Sequence, residues 1–256
     1  MKIIACYSNK GGVGKTATAV NLAHALAASG RRTLLCDLDP QGASSFYFRV
    51  KPSRKLTEAR FFDGDEKLTG AIRASDYDGL DILPANLAFR NFDVFLSQMK
   101  QPGSRLKKAL AAVKADYEVI LLDCPPSIST LSEAVFRAAD LIVVPVIPTT
   151  LSRRTYQQLL AFFADNDLPA DKLLGVFSMV QGTKKLHAET IQALRTDHPG
   201  RFLTSQIAFS SDIERMGLTR APVTATLSNS ASARAYRALC AEIVAHSNLT
   251  GQVGTA

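Results

Sequence analysis

The chain has 256 residues, 46% of them hydrophobic and 21% charged, which suits one large α/β domain with an ordinary core. No apolar run approaches the length of a membrane span, and Met1-Lys2-Ile3 enters an apolar segment at once, leaving no room for a secretory leader. The formal charge of +7 permits an acidic partner such as nucleic acid without requiring one, while four separated cysteines with no C-x-x-C pair argue for reduced, buried thiols over disulfides or zinc.

In chain order, Ile3–Tyr7 is an apolar strand, Lys10-Gly11-Gly12-Val13-Gly14-Lys15-Thr16 a glycine-rich loop, and residues 17–29 a helix that Gly30 stops. Strand, loop and helix in this order suit a phosphate. Glycines let the backbone curl so that several N–H groups face one anion, and the helix start adds its free N–H groups and positive dipole end. Lys15 reaches the β- and γ-phosphates and the Thr16 hydroxyl ligates Mg²⁺. Asn9 stands where the usual G-x-x-x-x-G-K-[ST] pattern has glycine, and a second lysine, Lys10, heads the loop.

Thr33–Cys36 reads as a buried parallel strand ending in Asp37-Leu38-Asp39-Pro40-Gln41-Gly42. Residues 43–80 are irregular, with a turn at Asp63-Gly64-Asp65; 80–83 is a strand and 86–115 helical. Val119–Leu122 is an inner strand closed by Asp123-Cys124-Pro125-Pro126-Ser127. Beyond it come a helix over 130–139, a strand over 141–146, a helix over 151–165, a strand over 173–179, a helix over 184–197, a strand over 203–207 and a helix over 232–246. Alternating strands and helices predict one α/β domain over 1–256, a mainly parallel twisted sheet with helices on both faces, and a flexible tail over about 247–256. Such sheets carry their chemistry beyond the carboxyl ends of the strands, where the loop, Asp37/Asp39 and Asp123 all fall. Asp123, after four apolar residues, fits the Walker B carboxylate that holds Mg²⁺.

K-G-G-x-G-K-T, D-L-D-P-Q-G and D-C-P-P-S together resemble the ParA/MinD family of deviant Walker-A ATPases, closest to the small Soj-like partition or cargo-positioning proteins. The resemblance implies ATP and Mg²⁺ as cofactors, with Gly11, Gly12, Val13, Gly14, Lys15, Thr16, Ala17 and Met179 at the nucleotide. It implies Thr16, Asp37 and Asp123 at the metal, and Asp39 positioning the attacking water. Lys10 would cross the interface of an ATP-sandwiched homodimer and touch the partner's phosphates. It further implies a cytoplasmic, nucleoid-associated protein whose dimer binds DNA without sequence preference. A ParB-like or cargo-adaptor protein would stimulate slow hydrolysis, so that plasmid or chromosomal DNA, or a protein cargo, is moved.

Arg195 matches the family's helix arginine and is the first DNA-binding candidate; Lys184, Lys185, Arg215 and Arg220 are added by region. The chain also departs from the family. Ala17 replaces a threonine at the α-phosphate, and Ile207-Ala208-Phe209-Ser210 replaces I-P-R-N, with Asp212 where another arginine is usual. The stretch after residue 246 carries no lysine or arginine, which argues against membrane recruitment of the MinD kind. A metabolic P-loop ATPase of the same superfamily remains the alternative from another class, and an iron–sulfur version lacks suitably placed cysteines.

Overall fold

The computed structural model describes residues 1–63 and 66–249. Eight strands form one sheet: β1 (Lys2–Cys6), β2 (Thr33–Asp37), β3 (Arg73–Ala74), β4 (Leu80–Leu83), β5 (Val119–Asp123), β6 (Leu141–Val146), β7 (Leu173–Val180) and β8 (Phe202–Ala208). Their order across the sheet is β3-β4-β2-β5-β1-β6-β7-β8, and every pairing is parallel except that of the two-residue edge strand β3 with β4. The single-domain, mainly parallel α/β fold read from the sequence is the one observed.

Alternation along β1 explains the layering. Ile3, Ala5 and Tyr7 pack on one side with α5 (Phe92–Ser97), α6 (Pro102–Leu110), α7 (Thr130–Ala138) and α8 (Thr150–Asp165). Ile4 and Cys6 face the other side, against α1 (Lys15–Ala28) and α13 (Ala231–His246). All five residues of β2 and β5 and all six of β6 are buried, as expected for strands covered on both faces. Strand β1 lies between β5 and β6, so the chain leaves it in one direction for β2 and later passes to β6 on its other side. The crevice of an open sheet falls at such a reversal, and the glycine loop sits there.

Three stretches differ from expectation. Residues 43–80 hold short helices, α2 (Ala43–Tyr47), α3 (Glu58–Asp63) and α4 (Glu66–Thr69), besides β3; residues 64 and 65 of the expected turn lie outside the described residues. The expected helix over 86–115 is broken into a 3-10 turn at Leu87–Asn91, α5, α6 and a second 3-10 turn at Ala111–Val113. The break has a cause: Pro102 cannot continue a helix, and Gln101 before it adopts φ 55°. After α9 (Lys185–Asp197) and β8, the chain makes α10 (Ser211–Glu214), α11 (Met216–Thr219) and α12 (Val223–Thr226), the last two divided by Arg220 at φ 49° and by Pro222. Buried Asn21 anchors this stretch to α1. Its amide donates to Ala17 O at 2.8 Å, and its Oδ1 accepts from the Thr224 backbone N–H at 3.1 Å.

Of the expected flexible tail, Ser247 is buried and the Leu249 carbonyl accepts from Arg31 at 3.0 Å, so this part is tied to the turn between α1 and β2; residues 250–256 lie outside the described residues. Cys6, Cys36, Cys124 and Cys240 are all buried. No helix among the described residues is long and apolar enough to cross a membrane.

Candidate functional site

The loop from Lys10 to Thr16 connects β1 to α1. Gly12 and Gly14 take φ values of 71° and 87°, in the left-handed region open to glycine. Gly14 is also hemmed in: a Cβ there would lie 2.9 Å from Ser178 Oγ. No side chain caps α1 and no acidic residue occupies its first turn, so the N–H groups and dipole of the helix start remain available to an anion. Lys15 is 8% exposed, its charge placed within the crevice.

Two carboxylates stand on adjacent strand ends. Asp37 of β2 and Asp123 of β5 are register partners, Cys6 of β1 pairs with Asp123 on the other side, and both aspartates are wholly buried. Each is held through one oxygen by α2. Ser44 Oγ donates to Asp123 Oδ2 at 2.7 Å, and the Ser45 N–H and Oγ donate to Asp37 Oδ2 at 2.8 and 2.7 Å. The Thr16 hydroxyl lies near Asp123 and favours its charged form. The other oxygen of each carboxylate, Oδ1, is buried without a hydrogen-bond partner. Burial, followed by the charge of Asp123, pushes the Asp37 carboxyl up to about 7; burial likewise raises Asp123, opposed mainly by Lys15.

Buried carboxylate oxygens without partners are costly, and a hard divalent cation satisfies them. Among the described residues no cluster of three or more His, Cys, Asp and Glu side chains encloses a metal by itself. That suits Mg²⁺, which keeps waters and takes further oxygens from phosphates. The residues present therefore fit Mg²⁺, which Thr16, Asp37 and Asp123 could hold directly or through its waters.

The remaining predicted residues gather at the same mouth. Asp39 is half-buried in the turn after β2, where its Oδ1 accepts from the Gln41 N–H at 2.9 Å, close enough for its charge to raise the Asp123 carboxyl. The Lys10 backbone N–H donates to Ser8 Oγ at 3.3 Å; its ammonium pairs with no carboxylate among the described residues. Met179, at φ 53°, lines an apolar cavity of about 50 Å³ with Gly14, Ala17, Ile207 and Phe209, beside the loop. Val13 is buried, whereas Gly11 is exposed.

The DNA candidates behave differently from one another. The Arg195 guanidinium donates to the Leu203 and Thr204 carbonyls at 3.2 Å each and lies over the Phe177 ring, joining α9 to β8. Arg220 donates to Phe46 O at 3.0 Å and covers that ring, and Lys185 pairs with Glu189 at 3.6 Å. Arg215 and Lys184 are exposed and have no side-chain partner among the described residues. Ser44 and Ser45 were not singled out from the sequence. Their only signal there is position, directly after D-L-D-P-Q-G.

A glycine loop at the reversal of a parallel sheet, with carboxylates on two neighbouring strand ends, defines a P-loop nucleotide-binding domain. The chain belongs to the family whose model, described as an AAA domain, matches residues 1–168, and its relatives include proteins named ParA and Soj. It is 38% identical over 149 residues to the chromosome partitioning protein ParA of Caulobacter vibrioides, covering 57% of this chain and 56% of that one. The aligned stretch thus spans about half the length of that relative. The chromosome-partitioning ATPase Soj of Treponema pallidum is 29% identical over 248 residues, covering 95% of this chain and 97% of its own. Among solved structures, cobyrinic acid a,c-diamide synthase of Mycobacterium smegmatis with bound ATP analog and magnesium superposes with a TM-score of 0.78 at 26% identity, covering 100% of this chain and 99% of that one.

Proposed function

We propose that the chain is a ParA-like ATPase that binds Mg–ATP at this site, closes into an ATP-sandwiched homodimer, and in that state holds DNA without sequence preference. Hydrolysis, stimulated by a ParB-like or cargo-adaptor protein, resets it. Its work is the partitioning of plasmid or chromosomal DNA in the cytoplasm, over the nucleoid. The observation that carries the reading is the pair of buried carboxylates, each with one unpartnered oxygen, beside an uncapped glycine loop.

In this reading Lys15 and the loop amides hold the β- and γ-phosphates, and Thr16 with Asp123 orients the cation. Asp37 supports the cation's water shell, and Asp39 at the mouth orients the attacking water. Mg²⁺ supplies charge neutralisation of the phosphates. Lys10, which has no carboxylate partner among the described residues, is free to reach the phosphates of a second copy, and this makes dimerisation depend on the γ-phosphate. The apolar cavity at Met179 and Ala17 suits the base and sugar end of the nucleotide.

The deciding experiment measures duplex-DNA affinity with ATP, with ADP and without nucleotide, at two salt concentrations, alongside sedimentation. Tight, salt-sensitive binding by an ATP dimer alone supports the reading. Equal affinity in all states, or none in any, overturns the DNA-carrier function and leaves an ATPase that acts on other partners.

A further inference from the structure

A second cavity, of about 440 Å³, opens between the C-terminal half of α1 and the outer face of α13, lined by His24, Ala28, Arg31, Arg237, Cys240 and Ala241 among others. Its size is that of a small-molecule site. It lies away from the phosphate loop: His24 is about 13 Å along α1 from Lys15, at 1.5 Å per residue. The nucleotide therefore does not account for it.

The chemistry of its wall is one-sided. Two guanidinium groups, Arg31 and Arg237, line it together with His24, and no carboxylate does. Neither arginine forms an ion pair among the described residues. Arg31 donates to Ser29 Oγ at 2.7 Å and to Leu249 O at 3.0 Å, and Arg237 to Ser228 O at 2.6 Å, so neither positive charge has a carboxylate partner among the described residues. Two buried polar atoms here lack partners, Arg31 Nε and His24 Nδ1. An adjoining cleft that shares His24 and Ala28 carries Asp76 and Asp78, and Asp76 is already paired with Arg49. Alanines 25, 28 and 241 and Val244 make the rest of the wall apolar.

We propose that this cavity binds a small organic anion, with a carboxylate or phosphate headgroup between Arg31 and Arg237 and a compact apolar body against the alanines. The headgroup supplies what the wall lacks, a countercharge for two arginines.

Cys240 is a built-in reporter. It lines this cavity at 5% exposure, whereas the other three cysteines are at most 1% exposed and lie elsewhere. The test uses 1-anilinonaphthalene-8-sulfonate, an anion with a flat apolar body, titrated by fluorescence in the presence of saturating ADP to keep it from the nucleotide site. The expected result is saturable binding at one site that slows maleimide labelling of Cys240. Arg237→Ala should weaken binding about tenfold, the effect of one charge-assisted hydrogen bond. Ala241→Phe, which fills the cavity from an exposed position, should abolish it. Both variants alter exposed residues and should keep wild-type circular dichroism and nucleotide affinity. Inorganic phosphate that displaces the probe supports recognition by the headgroup. The proposal is overturned if neither variant changes probe binding, or if labelling of Cys240 is unaffected. It is also overturned if duplex DNA displaces the probe and both variants lose DNA binding in parallel, which would make the arginines a DNA contact.

Discussion

Replacing Asp37 with asparagine separates the electrostatics of the site from its packing. The side chain is wholly buried, and its Oδ2 accepts two bonds from Ser45, both of which the asparagine carbonyl oxygen retains. What changes is the charge. Burial and then the neighbouring Asp123 move the Asp37 carboxyl from 3.8 to about 7. A folded-state value above the unfolded one means that the folded protein holds the proton more tightly. The associated stability is fully present below the unfolded value and is lost as pH rises through about 7. The stability lost between these two values is at most ~4 kcal/mol. Urea unfolding of the metal-free protein at about pH 5 and about pH 8 should show the wild type losing stability between them. Asp37→Asn should lose much less and be the more stable of the two at the higher pH. Mg²⁺ added at the higher pH should restore the wild type and help the variant little, since the cation replaces the proton that the carboxylates give up. Parallel pH profiles for the two proteins, or equal stabilisation by Mg²⁺, would refute the argument that an uncompensated carboxylate pair awaits a cation.

Lys15→Ala should abolish useful ATP binding, whereas Lys10→Ala should bind ATP but remain monomeric in sedimentation with a non-hydrolysable analogue; a normal dimer from Lys10→Ala would exclude its interface role. Asp39→Ala should keep nucleotide and trap the ATP-bound dimer, with single-turnover hydrolysis slowed on the order of 10²–10⁴-fold; wild-type speed would remove its assignment. Gly14→Ala should cost about 1–2 kcal/mol for the left-handed backbone alone, and more for the 2.9 Å approach to Ser178 Oγ, read as a fall in melting midpoint. Arg215→Glu should lower DNA affinity and its salt dependence without changing stability, while Arg195→Ala should destabilise the β8 edge by about 1 kcal/mol even without DNA.

The inner strands were legible because burial on both faces leaves no freedom in composition: Val119-Ile120-Leu121-Leu122 suits a central parallel strand and little else. The helix expected over 86–115 failed for a local reason. Its apolar residues recur at helical spacing on both sides of Pro102, and periodicity carries straight across a break that only backbone geometry enforces. The stretch over 43–80 contributes core residues such as Phe61, Phe62 and Leu68 from helices of four to six residues. Such helices are too short to show a period and exist through tertiary packing.

At the site, the legible residues were those whose role depends on local chain geometry. A loop of glycines followed by lysine and threonine must sit between a strand and a helix to work, and an aspartate after four apolar residues must stand at a strand end. Ser44 and Ser45 follow a different logic. A serine acquires meaning only when folding brings it to a carboxylate, and the Ser44–Asp123 bond spans 79 residues. The basic residues show the same dependence in reverse. From the sequence, Arg195 and Arg215 are equivalent charges, and resemblance favours the first. In the fold, Arg195 spends two donors on the carbonyls of β8, and Arg220 is occupied by Phe46. Arg215 and Lys184 keep their side chains unpartnered among the described residues. Phosphate contacts need cations that give up little to make them, so any DNA footprint on this chain should rest more on Arg215 and Lys184 than on Arg195.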